Sequence, residues 1–187
     1  MNRPITVVKL GGSHARSANL TGRLRVIAAD AGKIVVVPGG GPFADAVREL
    51  QPVMRFGDAA AHDMALLAMA QYGIALASLA EAFVLAETIA AIEAALASRR
   101  VPVWSPWPML RDHPDIPRSW DVTSDSLALW LAQTLRAERV VLVKHQAPKA
   151  GTSSECLVAR GLVDKAFPRF RDKFAGVVEF AVAEPHG

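Results

Sequence analysis

Near the N-terminus, two β-branched runs each break into consecutive glycines. "ITVVKLGGS" spans Ile5–Ser13, and "KIVVVPGGGP" spans Lys33–Pro42. Such a run reads as a buried strand, and its glycines as a turn where the backbone must come close to something else. Pro42 then stands where proline best opens a helix. Two strand–turn–helix units in series narrow the fold considerably. Strands that alternate with helices are joined by parallel crossovers, so an α/β architecture is predicted.

The remaining pattern extends this reading. "LRVIAADAG" is helix-like and should close at Gly32, and in the helix after Pro42 the residues Phe43, Val47 and Leu50 fall on one face. Ala59–Ala80 and Glu87–Arg99 are Ala-rich helical stretches, with Ile89, Ile92 and Leu96 marking the core side of the second. "VPVW", "RVVLVK" and "GVVEFAVA" (residues 176–183) read as strands. Ser105–Ser119 holds four prolines and reads as irregular connection. The expected fold is a three-layer α/β/α sandwich with a largely parallel central sheet, built as one domain over residues 1–187.

Composition removes several classes of function. The chain is 51% hydrophobic and 21% charged, which suits a globular protein. A net charge of +3 is spread along the sequence and aromatics make up 6%, so no clustered basic patch points to nucleic acid. The lone Cys156 excludes an intramolecular disulfide and a cysteine-rich zinc site, and is expected to be a small residue tucked into packing. Met64–Ala80 carries no charge, but it is mostly alanine and is bracketed by Asp63 and Glu81. It reads as a buried helix rather than a membrane span. With no leader-like segment in residues 1–20, the expected compartment is the cytoplasm.

Ligands of open parallel sheets bind outside the carboxyl ends of the strands, where both glycine runs lie. Exposed N–H groups at Gly11, Gly12 and Gly39–Gly41 can hold phosphate oxygens, with a helix N-terminus adding partial positive charge. The same glycines also suit tight turns without a ligand. Lys9, at the end of its strand, is either a phosphate contact or a solvated strand-end lysine. Farther along, "SWDVTSDSLALWLAQTL" (Ser119–Leu135) has an amphipathic second half, with Leu127, Trp130, Leu131 and Leu135 on one face. Its first seven residues hold Ser119, Asp121, Thr123, Ser124 and Asp125, more polar groups than helix capping requires. Asp125 can hold Mg²⁺, fix neighbouring lysines, or simply stabilise the first turn of the helix. His62, one turn after Asp58, can orient toward an anion or cap its helix; His14 is equally open. No zinc-ligand spacing and no nucleophile elbow is present.

Together these residues resemble the amino acid kinase family. "VVKLGGS" is similar to its N-terminal phosphate loop, "VVVPGGGPFADAVRE" to its second glycine loop and helix, and "TSDSLALWLA" to its aspartate-bearing helix start. Within the family, "AHDMALLAM", "SWDVTSDSL" and "GLVDKAFP" resemble the branch that phosphorylates a phosphomonoester in methanofuran-type cofactor synthesis. The resemblance implies γ-phosphoryl transfer from ATP, with Mg²⁺, to a small phosphorylated substrate, giving a diphosphate. Lys9 and Asp125 would be catalytic. Gly11, Gly12, Ser13, Lys144 and Lys165 would meet the donor phosphates. Gly39, Gly40, Gly41, His62, Thr123 and Ser124 would meet the acceptor. No residue is assigned directly to the metal. Neither nucleic acid nor a membrane is an expected partner, and the Ala-rich helices offer surfaces for a homo-oligomer.

The family's usual "TDVDG"-like segment after the "VVLV"-type strand is replaced here by "KHQAPKAG" (Lys144–Gly151). The nucleotide-binding half, about residues 136–187, therefore looks shortened, with Lys144, Lys149 or Lys165 as compensating cations. Two other readings stay open on these residues. One is a kinase-like subunit that holds a partner or an anionic ligand without turnover. The other is a kinase of a different acceptor: a nucleotide, a prenyl phosphate or an amino acid.

Overall fold

In the computed structural model, which describes residues 4–182, the β-branched runs are strands. In chain order the elements are β1 (Thr6–Leu10), α1 (Leu20–Ala28), β2 (Ile34–Pro38), α2 (Gly41–Met54), α3 (Asp58–Ser78), β3 (Phe83–Ala86) and α4 (Ile89–Ala97). There follow β4 (Val101–Trp104), α5 (Trp107–Leu110), α6 (Ser124–Thr134), β5 (Arg139–Lys144), α7 (Ser154–Ala159), α8 (Phe167–Arg171) and β6 (Val177–Val182). A 3-10 turn, Gly12–Arg16, directly follows β1. The strands form one sheet in the order β3-β4-β2-β1-β5-β6, and every neighbouring pair is parallel.

The period-2 alternation of each strand divides the core between the two sheet faces. Val7, Val35, Val37, Trp104, Val140 and Leu142 pack on one side with residues of α4, α6 and α8. Val8, Leu10, Val36, Val101 and Val103 pack on the other with Leu24 and Ile27 of α1. α3 serves both faces, giving Leu66 and Met69 to the first and Tyr72 and Leu76 to the second. This is the predicted three-layer arrangement. No helix among the described residues is long and apolar enough to cross a membrane.

Several local expectations are corrected. β3 was not predicted; it is four residues long and sits between two helices. α1 ends at Ala28, before the turn that places Gly32 at a positive φ of 87°. In α2 the buried residues are Ala44 and Val47, while Phe43 and Leu50 are exposed, because α3 covers a narrower stripe than the apolar periodicity suggested. The proline-rich connection contains the single turn α5. Cys156 is exposed rather than tucked into packing. Ala183, the last residue of the predicted final strand, lies outside the described residues.

The two glycine runs pack backbone against backbone at the carboxyl ends of β1 and β2. A Cβ on Gly12 would overlap the backbone nitrogen and Cα of Gly41, and one on Gly39 would press on the Gly12 nitrogen. Gly41 also has a φ of 55°, a conformation that side chains rarely adopt. Because backbone cannot move aside as a side chain can, Gly12→Ala should destabilise the fold by about 1–3 kcal/mol in urea denaturation. Gly57→Ala, whose added methyl meets nothing within 4 Å, should cost less.

Candidate active site

The sheet order reverses at β1: the chain moves from β1 to β2 on one side and later adds β5 on the other. Such a switch point leaves a crevice at the carboxyl ends of the two central strands. Lys9 shares the strand face of Val7, and Lys144 shares that of Val140 and Leu142, which is the face covered by α6. The N-terminus of α6 lies at the same end of the sheet and delivers Asp125 between the two lysines.

The Asp125 carboxylate holds both. The Lys9 ammonium donates to Oδ1 at 2.9 Å, and the Lys144 ammonium to Oδ1 and Oδ2 at 2.9 and 2.7 Å. Asp125 is 5% exposed and Lys9 is 7% exposed, so the cluster is largely removed from water. Burial alone would push the Asp125 carboxyl up; the two lysine charges and their hydrogen bonds outweigh it and hold the group below the usual carboxylate range. Lys144 is held below the usual lysine range, first by burial and then by repulsion from Lys9, against the pull of Asp125.

Lys9 opens onto a cavity of about 260 Å³ lined also by Gly12, Ser13, Gly39, Gly40, Gly41, His62, Thr123 and Ser124. A Cβ on Gly11 would lie 3.5 Å from the Lys9 Nζ, so the first glycine passes beside the ammonium group. On the far wall stand Asp45, Arg48, Met69 and Trp120. The Trp120 indole N–H donates to Gln51 Oε1 at 2.7 Å, and the Arg48 guanidinium stacks over the ring at 4.4 Å. His62 is 3% exposed; its Nδ1 sits 3.3 Å from the Ser119 carbonyl oxygen, and its Nε2 has no partner in the protein. Since a carbonyl can only accept, Nδ1 carries the proton and a neutral ring leaves Nε2 as an acceptor. Burial lowers the His62 pKa, which favours that neutral form.

Not every predicted residue comes to this place. Lys165 is largely exposed and pairs with Asp121 at 3.0 Å, so of the candidate lysines it is Lys144 that reaches Asp125. Lys149 is exposed. His62 does not pair with Asp58, which accepts from the Gln51 amide instead. Thr123 lines the cavity, but its hydroxyl donates to Asp164 at 2.8 Å. Both Asp125 oxygens are occupied by ammonium groups, and no cluster of three or more His, Cys, Asp or Glu among the described residues could hold a metal ion. The protein groups therefore do not form a Mg²⁺ ligand set, and the idea that Asp125 also binds the metal does not fit them.

Three features carry no assigned role in the sequence, although the first lies within the "GLVDKAFP" motif. Asp164 anchors the start of α6 from 38 residues away. Trp120 and Arg48 form a wall only because α2 and the approach to α6 meet. His145, within the divergent "KHQAPKAG" segment, packs against His14 with ring centroids 4.8 Å apart and the rings tilted by 42°, and hydrogen-bonds the Ser13 hydroxyl at 3.0 Å.

The family model for the amino acid kinase family matches residues 4–147. The chain belongs to the amino acid kinase family. A relative, [5-(aminomethyl)furan-3-yl]methyl phosphate kinase of Methanocaldococcus jannaschii, is 28% identical over 140 residues, covering 73% of this chain. The match spans 63% of that kinase's own length. Among solved structures, uridylate kinase from Archaeoglobus fulgidus superposes with a TM-score of 0.73 at 17% identity, covering 96% of this chain and 91% of its own. UMP kinase from Ureaplasma parvum gives 0.68 at 12% identity, covering 99% and 92%. At such identities these two establish the shared fold.

His14 ties the turn after β1 to the end of β5. Arg23 donates to its Nδ1 at 2.7 Å, which leaves Nε2–H for the Val143 carbonyl at 3.4 Å. Burial, with nearby positive charge, lowers its pKa from 6.5 to about 4. Between these values the unfolded chain binds a proton that the folded one does not. Stability from this residue is thus fully present above pH 6.5 and declines as pH falls toward 4. The urea midpoint should drop over that window, and His14→Asn should flatten the dependence.

Proposed function

We propose that the chain is an ATP-dependent phosphotransferase that adds a phosphoryl group to a small phosphomonoester, giving a diphosphate, in methanofuran-type cofactor synthesis. The observation that carries this reading is the Lys9–Asp125–Lys144 cluster, whose Lys9 lines a small cavity bordered by both glycine runs. Phosphoryl transfer needs positioning and charge neutralisation rather than covalent help from the protein. Two ammonium groups fixed by one carboxylate supply both.

In the proposed reaction an oxygen of the acceptor phosphate attacks the γ-phosphorus of ATP. The bond from that phosphorus to the β,γ-bridging oxygen breaks, and ADP leaves. Lys9 faces the moving phosphoryl group; Lys144 meets the donor phosphates beside Gly11, Gly12 and Ser13. Asp125 keeps the two cations apart and in place. The acceptor lies against Gly39–Gly41, with Ser124, neutral His62 and the Trp120 wall around it. The choice of acceptor rests on the likeness to the methyl phosphate kinase of M. jannaschii. A flat ring of that size suits a cavity walled by an indole and floored by Leu66 and Met69. A subunit that only docked a partner would have no use for a buried carboxylate holding two ammonium groups.

Calorimetric titration with a nonhydrolysable ATP analogue and Mg²⁺ tests the reading. Binding in the micromolar-to-millimolar range, lost in Lys9→Ala, is the expected result; no binding to the unaltered protein would overturn it. With the acceptor in hand, Asp125→Asn should lower kcat by on the order of 10²–10³. A fall of only about fivefold, equivalent to the ~1 kcal/mol of an acid in the first turn of a helix, would reduce Asp125 to stabilising the start of α6.

A further inference from the structure

The first turn of α6 is capped in an unusual way. Thr123 occupies the N-cap position, yet its side chain accepts no hydrogen bond from the helix. Instead the Asp164 carboxylate, from the segment between α7 and α8, takes over. Its Oδ2 accepts from the Thr123 N–H at 3.0 Å, the Thr123 hydroxyl at 2.8 Å and the Ser126 N–H at 3.0 Å. The Ser126 hydroxyl donates to Oδ1. The donors lie on either side of Asp125 in the chain, so the backbone that carries the central carboxylate is gripped from both directions.

Neighbouring contacts strengthen the grip. The Ala166 N–H donates to the Asp121 carbonyl at 2.9 Å, and Lys165 pairs with the Asp121 side chain. Val163 and Phe167 are buried in the core on the α6 side of the sheet. Asp164 itself makes no ion pair with Lys9 or Lys144 and does not line the cavity. Its negative charge nevertheless acts on the cluster: with Asp125 it favours the charged form of Lys144, against burial and Lys9. Burial raises the Asp164 carboxyl, and the Asp125 charge adds to this, while the Ser126 and Thr123 hydrogen bonds oppose it.

We propose that Asp164 is a positioning residue of this site: by capping α6 on both sides of Asp125 it fixes the carboxylate that holds Lys9 and Lys144, and so ties the C-terminal segment to phosphate binding. The proposal rests on the reading of the cluster as a phosphoryl-transfer site. Four charged groups face one another here: Lys9 from β1, Asp125 from α6, Lys144 from β5, and Asp164 from the segment before α8. A cap that served the helix alone would matter for stability but would leave the contacts of Asp125 with the two lysines, and the affinity for a phosphate, unchanged.

The test compares Asp164→Asn, which keeps an acceptor oxygen but no charge, with the unaltered protein and with Asp164→Ala. Lysine labelled with ¹³C at Cε reports the titration of Lys144, and the nonhydrolysable ATP analogue reports phosphate binding. In Asp164→Asn the Lys144 ammonium should lose its proton at lower pH. Analogue affinity should fall by on the order of tenfold, with the deficit growing toward alkaline pH. A folded Asp164→Asn with unchanged Lys144 titration and unchanged affinity would overturn the proposal, even if its melting temperature fell. Should Asp164→Ala fail to fold, the Asn variant alone decides. If the unaltered protein binds no analogue, the phosphotransferase reading fails, and the role of Asp164 is decided by the Asp125 carboxyl. That group titrates at higher pH in Asp164→Asn if it has lost its lysines, and at lower pH if only the neighbouring charge is gone.

Discussion

One buried carboxylate shared by two ammonium groups is the interaction around which the rest of the site is arranged. Removing ions from water costs several kcal/mol each, and only close opposite charge with well-aligned hydrogen bonds offsets that cost. Asp125 offers both oxygens, and the three groups together keep one positive charge in excess. An anion entering the cavity meets a charge already desolvated and already oriented, so little reorganisation remains to be done when it binds. Removing any one member would leave the others mismatched. Two lysines without the acid repel each other, and the acid with one lysine has no surplus charge to offer.

The glycine runs illustrate why a motif and its meaning are separate matters. Their backbones touch, and Gly12 cannot carry a side chain beside Gly41 whether or not a phosphate ever binds. A tight turn and a phosphate cradle therefore require the same residues here. What separates the two readings is the company the glycines keep. Lys9 stands beside Gly11, and the cavity runs from Gly12 to Gly41 and on to the start of α6.

The parts of the fold that were legible in the sequence are those set by short-range periodicity. β1, β2, β4, β5 and β6 are β-branched runs, and α6 shows its apolar face plainly. β3 was not legible, since "FVLA" is a short apolar run among alanines and the same letters suit a helix. The α2 face was misjudged for a related reason. Periodicity says that Phe43, Val47 and Leu50 align, but how wide a stripe α3 covers is a tertiary fact. In the candidate site, the strand ends and Asp125 were visible because topology directs them to one edge of the sheet. The role of Asp164 was invisible: "GLVDKAFP" marks the segment by resemblance, but nothing local shows what its acid does until α8 folds against α6 and brings it beneath Thr123 and Ser126. The excess of polar residues before α6 was the one hint, and the structure distributes them. Asp121 goes to Lys165, Thr123 and Ser126 to Asp164, Ser119 to His62 through its carbonyl, and Asp125 to the two lysines.

The divergent segment after β5 takes on a different sense once its register is considered. The loss of a "TDVDG"-like loop left Lys144, Lys149 and Lys165 as candidate compensating cations. Of these, the one that reaches Asp125 is the last residue of the strand itself. β5 pairs with β1 so that Leu142 lies opposite Lys9, and side chains alternate along a strand. Lys144, two residues beyond Leu142, therefore returns to the Lys9 face and reaches Asp125. A lysine at 143 or 145 would be directed toward the opposite face by the same alternation, whatever the loop that followed. The position of this charge is thus fixed by sheet register, which a shortened loop does not disturb. That leaves the segment from His145 onward free to differ, with His145 hydrogen-bonded to the Ser13 hydroxyl at the turn after β1.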